Sequence, residues 1–207
     1  MLLNLCVLLI FYSSGMVLSA PDHSDDVYWR DYNGDVPNDA LPGGLDRDRN
    51  PTYIGQVVAQ GAIIPGQIFG GAQKIYYQGD YSAREATENI KILCTRKPEN
   101  VEWVKTTGAD IRHIALPRLI PGGYQYSGHM YIGRGIAGNV LSVGKVTIPT
   151  ERSRQATFKA SVDGDSYSPN EFEVLCHRMR NPDVADSSSK VSFGFALASL
   201  IVLVLLL

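Results

Sequence analysis

The chain has few of the residues that support catalysis or metal binding. Its 207 residues include only three cysteines and four histidines, and no histidines are spaced as in the metal-binding pattern His-Glu-x-x-His. Cys176 and His177 are adjacent in sequence rather than separated as a nucleophile and its base usually are. Asp46 and Asp48 lack the glycine and distal glutamate of an EF-hand. We therefore expect no catalytic residue, no metal and no cofactor.

An excess of positive charge and a helical hydrophobic pattern are also missing. Lysine and arginine total 19 against 21 acidic residues, a formal net charge of −2, which argues against a nucleic-acid binder. Between the two ends, no stretch repeats apolar residues with a helical period. Residues 90–94 and 172–176 instead alternate as half-buried strands do, and 20 glycines and 11 prolines supply turns. The sequence predicts an all-β fold.

The amino-terminal segment is typical of a secretory signal. Leu2 to Ile10 is almost wholly apolar, and small residues follow before Pro21. We expect residues 1–19 to be the signal peptide, cleaved after Ser19, and residues 20–28 to lead into the fold. An uncleaved membrane anchor is the alternative.

The carboxyl-terminal segment resembles a glycosylphosphatidylinositol (GPI) attachment signal. Residues 179–190 are polar and include a run of small residues, whereas residues 191–207 are hydrophobic and contain no charged residue. We expect attachment at Ser187 and a location on the extracellular face of the plasma membrane. A single-pass C-terminal anchor is the alternative.

Two cysteines remain once the signal peptide, which contains Cys6, is removed. Cys94 and Cys176 would then lie in an oxidising compartment, where a pair is usually bridged. We expect a disulfide between them; two separate buried thiols are the alternative.

The middle of the chain is an internal duplication. Three blocks recur in the same order: Trp29 with Trp103, residues 52–68 with 130–146, and residues 88–96 with 170–178. This order defines a first repeat at 29–96 and a second at 103–178. Only a short segment joins them, so we expect the repeats to pack as one unit with approximate twofold symmetry. Cys94 and Cys176 are equivalent, and a bond between them would place them near the symmetry axis.

The ordered motifs resemble the DM-nine (DM9) repeat. The first copy carries them at Trp29, Gly34, Val36-Pro37, Ala40, Gly43-Gly44, Tyr53-Ile54-Gly55 and Pro65-Gly66. The second carries them at Trp103, Gly108, Leu116-Pro117, Gly122-Gly123, Tyr131-Ile132-Gly133-Arg134, Gly144-Lys145 and Phe172-Glu173-Val174-Leu175. The resemblance implies two intertwined β-rich repeats in one compact domain. For one branch of the family it also implies lectin activity towards mannose-containing glycans in innate recognition of microbes.

The same resemblance implies candidate sugar contacts. Family members use an acid after the Gly-Gly pair and the lysine of Pro-Gly-Lys. The first repeat has Asp46 at the acid position but Gln67 in place of the lysine, and the second has Lys145 but Gln125 or Tyr126 in place of the acid. Tyr77 is a candidate aromatic surface, because tyrosine presents an apolar face and a polar tip.

The resulting hypothesis is an extracellular, GPI-anchored recognition protein that binds glycans or microbial surfaces and not nucleic acid. A structural or adhesive protein that binds another protein without a sugar site is the alternative. Association as a homodimer is left open. An extracellular hydrolase would need a paired-carboxylate cleft, which residue spacing alone does not show.

Overall fold

The computed structural model describes residues 26–151 and 154–179, and these fold almost entirely as antiparallel β-sheet. The strands of the first repeat are β1 (Tyr28–Asp31), β2 (Pro42–Leu45), β3 (Pro51–Ala59), β4 (Ala62–Phe69), β5 (Ile75–Gln78), β6 (Ala83–Ala86) and β7 (Ile90–Cys94). Those of the second are β8 (Val101–Thr107), β9 (Pro121–Gln125), β10 (Gly128–Ala137), β11 (Val140–Thr147), β12 (Thr157–Val162), β13 (Asp165–Tyr167) and β14 (Glu171–His177). Short 3₁₀ turns lie at Pro98–Asn100, Asp110–His113 and Leu116–Arg118.

The two repeats have the same strand pairing. In the first, β7 lies between β1 and β3, β3 also pairs with β2 and β4, and β5 joins β4 to β6. In the second, β14 lies between β8 and β10, β10 also pairs with β9 and β11, and β12 joins β11 to β13. The predicted all-β fold with two symmetry-related repeats is confirmed.

Each repeat completes its sheet with a strand of the other. Strand β2 pairs with β11 at Leu45 and Leu141, and the equivalent strand β9 pairs with β4 at Ile63 and Tyr124. These two exchanged pairings join all fourteen strands into one continuous sheet. The repeats are therefore intertwined and do not form separate domains.

The Gly-Gly motif of each repeat lies at these crossings. A Cβ on Gly44 would clash with the backbone carbonyl of Leu141, and a Cβ on Gly123 would clash with that of Ile63. Both obstructing carbonyls belong to the other repeat. The motif is thus a requirement for close backbone approach between the repeats.

The hydrophobic interior of the described residues consists of a cluster in the second repeat, a cluster of the first repeat that also includes Met130, and a third that both repeats share. The shared cluster is built from equivalent residues of the two copies: Leu41 with Ile120, Ile54 with Ile132, Leu93 with Leu175, and the partly buried Trp29 with Trp103. Because equivalent residues can meet only near a symmetry axis, this cluster marks the pseudo-twofold axis.

The predicted Cys94–Cys176 disulfide is wrong in this structure, where both cysteines are free and buried. Cys94 belongs to the hydrophobic cluster of the first repeat and Cys176 to that of the second. Successive side chains of a strand point to opposite faces, so Leu93 and Leu175 face the axis while the cysteines face away from it. Burial raises the pKa of each thiol to about 11, which keeps it protonated at neutral pH.

Polar side chains also meet near the axis, at the start and end of the described chain. Asn100 Nδ2 donates to Asp26 Oδ1 at 2.6 Å, and Thr95 Oγ1 donates to the Asp26 carbonyl at 2.6 Å. His177 Nδ1 lies 3.7 Å from Asp26 Oδ2. These buried contacts tie the first residues of the fold to the ends of both β7 and β14.

The predicted signal peptide, the Ser187 attachment site and the hydrophobic tail lie outside the described residues. Within 26–151 and 154–179, no helix has the length and apolar character needed to span a membrane.

Candidate functional site

One surface depression combines turns from both repeats, and we name it the Asp80 depression. Its lining comes from Gln60 and Gly61 in the β3–β4 turn, Asp80 in the β5–β6 turn, and Gln125 to Ser127 in the β9–β10 turn. Its volume is about 250 Å³. The first repeat supplies the acid and the second supplies the amide, so the depression exists only when the repeats are intertwined.

Lys145 supports the Asp80 turn from below. It lies on β11 with only 6% of its surface exposed, and its Nζ donates to the Gly79 carbonyl at 3.2 Å. Burial lowers the pKa of Lys145, Asp80 acts in the opposite direction, and Lys159 lowers the pKa further. A lysine of the second repeat thus binds the turn that carries an acid of the first and interacts with that acid electrostatically.

The Asp80 carboxylate is exposed. No described residue forms a hydrogen bond or an ion pair with it, and its charge is balanced only at longer range by Lys145. Gln125 Nε2 donates to Ser127 Oγ at 2.6 Å, which orients the amide within its turn. The depression therefore offers a carboxylate, an amide and a hydroxyl group within one small area.

Exposed tyrosines flank these polar groups. Tyr126 lines the depression and is fully exposed, while Tyr81, the residue after Asp80, is 98% exposed. Tyr124, on the strand that leads into the Gln125 turn, is half-exposed and meets His129 edge-on. Tyrosine rings so exposed contribute little to the hydrophobic core, and they are available to contact a ligand.

The strand register settles which residue of the second repeat occupies the predicted acid position. Leu45 pairs with Pro51 in the first repeat as Tyr124 pairs with His129 in the second. Counting one residue onward, Gln125 is the equivalent of Asp46. The open choice between Gln125 and Tyr126 is thereby resolved in favour of Gln125.

The structure separates the five predicted ligand residues. Lys145 and Gln125 both lie at the Asp80 depression, Lys145 behind the turn that carries the acid and Gln125 in the lining. Gln67 is 1% exposed, and its Oε1 accepts hydrogen bonds from Ser142 Oγ at 2.8 Å and Val143 N at 2.7 Å.

The other two predicted residues, Tyr77 and Asp46, are engaged in contacts within the fold. Tyr77 is buried in the core of the first repeat, so no ligand reaches its ring in this structure. Asp46 accepts hydrogen bonds from the backbone and side-chain nitrogens of Asn50 at 2.7 and 3.1 Å. The side-chain hydrogen bond from Asn50 is the main cause of the lowered pKa of Asp46. Asp46 thus closes the β2–β3 turn.

Sequence reasoning did not select Asp80 as an acid for the site. Asp80 lies next to Gly79 in a turn, where aspartate is common for conformational reasons. Its partner lysine is 65 positions away on a strand of the other repeat. Only the exchange of strands brings the two together, and neither repeat alone contains a signal for it.

A second, larger groove lies in the second repeat. It runs between the Ile111–Leu116 segment, the β9–β10 turn and residues 148–150, and most of its lining is apolar. Arg112 fixes one wall, because its Nη2 donates to the carbonyls of Pro149, Glu151 and Arg154 at 3.1, 3.1 and 2.8 Å. Leu116 remains 58% exposed at the rim.

Among the described residues, no three histidine, cysteine, aspartate or glutamate side chains come together as a group that could hold a metal ion.

Comparison with protein families finds a match in the first part of the chain. Residues 16–86 match the family model of the DM9 repeat, the repeat that the ordered motifs resemble. No curated protein matches the chain.

Solved structures give the same architecture. The crystal structure of the nematode sperm cell motility protein MFP2B is similar, with a TM-score of 0.56 and 15% sequence identity. The similarity covers 75% of this chain and 47% of that one. The chain thus spans about half the length of this structural relative, and at this identity the likeness is one of fold.

Proposed function

We propose that this protein binds carbohydrate at the Asp80 depression. The observation that carries the proposal is the combination of the unpaired Asp80 carboxylate, the Gln125 amide and the exposed ring of Tyr126 in one depression. The match of residues 16–86 to the DM9 repeat supports it, because lectin activity is what the family resemblance implies.

The chemistry suits a neutral sugar. Adjacent hydroxyl groups of a sugar ring both donate and accept hydrogen bonds, so a carboxylate and an amide placed together can hold such a pair. The apolar face of the ring needs a flat surface, which a tyrosine provides. Lys145 offsets the charge of Asp80, and this balance favours a neutral ligand over a strongly anionic one.

The size of the depression suits a small unit. At about 250 Å³, it lies below the roughly 300–1,000 Å³ typical of pockets for drug-sized ligands. We therefore propose that it receives the terminal residue of a glycan, with mannose as the first candidate from the family resemblance.

A glycan array on the purified protein tests this proposal. Asp80→Asn and Tyr126→Ala should each weaken binding strongly while leaving the circular dichroism spectrum unchanged, because both side chains are exposed. Asp163→Asn is the matched control: Asp163 occupies the equivalent turn of the second repeat. A folded protein that binds no glycan, or that loses binding equally in the control, would contradict the proposal.

We place this binding at the cell surface, in recognition of microbes or other cells, and without catalysis. The support for that setting is the sequence of the two ends of the chain. A screen with glycoside and ester substrates tests the absence of catalysis directly.

Adhesion through another protein is the second candidate function. The apolar groove beside Leu116 favours it, since such a surface can pack against a partner. A stoichiometric protein partner whose capture is insensitive to free mannose and lost on Leu116→Asp would support it. Capture that survives the substitution would exclude the groove.

A further inference from the structure

The pseudo-twofold axis relates the Asp80 depression to a second location, which we name the Asp163 location. Strand register defines the equivalence: Tyr77 faces Gly66 as Ala160 faces Gly144, so Asp163 is the counterpart of Asp80. By the same counting, Gly164 replaces Tyr81. Counted onward from the paired residues Leu45 and Tyr124, Arg47 of the β2–β3 turn corresponds to Tyr126 of the β9–β10 turn, which is one residue shorter.

The polar groups of the Asp163 location are already engaged. Arg47 Nη2 forms an ion pair with Asp163 Oδ2, joining a turn of the first repeat to a turn of the second. Asp46, the counterpart of Gln125, accepts hydrogen bonds from Asn50 within its own turn. Whereas the Asp80 carboxylate has no ion-pair partner among the described residues, the Asp163 carboxylate has one.

The Asp163 location also differs from the Asp80 depression at the positions of the lysine and the two exposed tyrosines. Gln67 stands where Lys145 stands in the other half, and its oxygen is bonded to Ser142 and Val143. A glycine and an arginine replace the two exposed tyrosines. An exposed ion pair is easily opened in water, but opening this one leaves Gln67 at the position of the lysine and Gly164 at the position of one tyrosine.

We propose that each chain binds one carbohydrate unit, at the Asp80 depression, and that the Arg47–Asp163 ion pair closes the equivalent Asp163 location. This inference rests on the proposed function and concerns its valency. Arg47 accounts for the difference between the two locations, since it occupies the position of Tyr126 and binds the counterpart of Asp80.

Isothermal titration calorimetry of the full chain with methyl α-mannopyranoside tests the valency. The expected stoichiometry is one sugar per chain. Asp80→Asn should weaken binding about 10- to 100-fold, the loss expected for a hydrogen bond to a charged group, whereas Asp163→Asn should leave affinity and stoichiometry unchanged.

A transplant variant tests the closure itself. Arg47→Tyr combined with Gln67→Lys gives the Asp163 location the tyrosine and lysine of the Asp80 depression, and it should raise the stoichiometry to two. Gln67 is buried, so Arg47→Tyr alone is the companion variant if the double variant fails to fold; it should add a second, weaker site. A stoichiometry still at one in a folded variant would overturn the role of Arg47.

The outcomes separate the two proposals. Two sugars per wild-type chain, with one of them lost on Asp80→Asn, would overturn the inference while leaving carbohydrate binding at the Asp80 depression intact. One sugar lost on Asp163→Asn and kept on Asp80→Asn would overturn both. No heat of binding with this probe and no binding on the glycan array would overturn both.

Discussion

Truncating a leucine at the pseudo-twofold axis should destabilise both repeats at once. Leu93 and Leu175 are fully buried and lie in the same shared cluster, one from each repeat. Leu→Ala at such a site costs about 2–5 kcal/mol, from lost burial and from the cavity left behind. A domain of this kind has only about 5–15 kcal/mol of stability in total, so either substitution removes a large share.

Urea denaturation measures the effect. With a slope of about 1–3 kcal/mol per molar urea, the midpoint should fall by about 1–2 M in each variant. Val58→Ala is the control, because Val58 is 57% exposed in the adjacent strand and surface substitutions usually change stability by less than about 0.5 kcal/mol. The double variant should depart from additivity, since residues in one cluster share neighbours.

The two tryptophans report the repeats separately. Trp29 belongs to the first repeat and Trp103 to the second, and both pack against the shared cluster. In Trp29→Phe and Trp103→Phe backgrounds, the fluorescence midpoints of the Leu93→Ala variant should coincide. Two separate transitions, with only the first repeat shifted, would refute a common interior.

Four further predictions can be tested, three from the structure and one from the sequence of the carboxyl-terminal segment. Gly123→Ala should prevent folding or strongly lower the unfolding midpoint in thermal melts, because its Cβ would meet the Ile63 carbonyl. Gly70→Ala is the control and should have a mild effect. Equal effects of the two substitutions would contradict the close approach of the backbones. Cys94 and Cys176 should stay unreactive towards a thiol reagent until the chain unfolds, and a native mass short of two hydrogens would show a disulfide instead. Burial raises both thiol pKa values from 9.0 to about 11. The protonated thiols therefore stabilise the fold fully below pH 9, and this contribution is lost as the pH rises through 11. In urea titrations, a Cys176→Val variant should lose less stability over that pH range than the wild-type chain. Phosphatidylinositol-specific phospholipase should release the protein from cells, and a protein that stays bound would indicate a C-terminal membrane anchor.

The duplicated all-β fold could be predicted because its evidence is local and occurs twice. Tyr-Ile-Gly and the Leu-Cys strand recur in order, and the alternation of apolar residues in 90–94 and 172–176 is typical of strands. The cysteine pairing could not be predicted correctly. Alternation assigns Cys94 and Leu93 to opposite faces, but it does not say which face meets the other repeat, and the structure gives that face to the leucines.

The candidate site was predictable only in part, for a related reason. The family resemblance pointed to Lys145 and Gln125, which lie at the same depression. It could not supply Asp80, which reaches Lys145 only through the exchange of strands between repeats. Gln67 matches the lysine of the family by position and Tyr77 is a candidate for its aromatic ring, but both side chains are buried in the interior.

The exchange of β2 and β9 between the repeats also bears on how such a chain could diversify. Two identical single-repeat subunits related by a true dyad would bear every substitution twice, so both of their depressions would change together. Joining the copies in one polypeptide removes that constraint while the shared leucine interior keeps the architecture. One half can then keep a tyrosine where the other acquires an arginine, as at Tyr126 and Arg47.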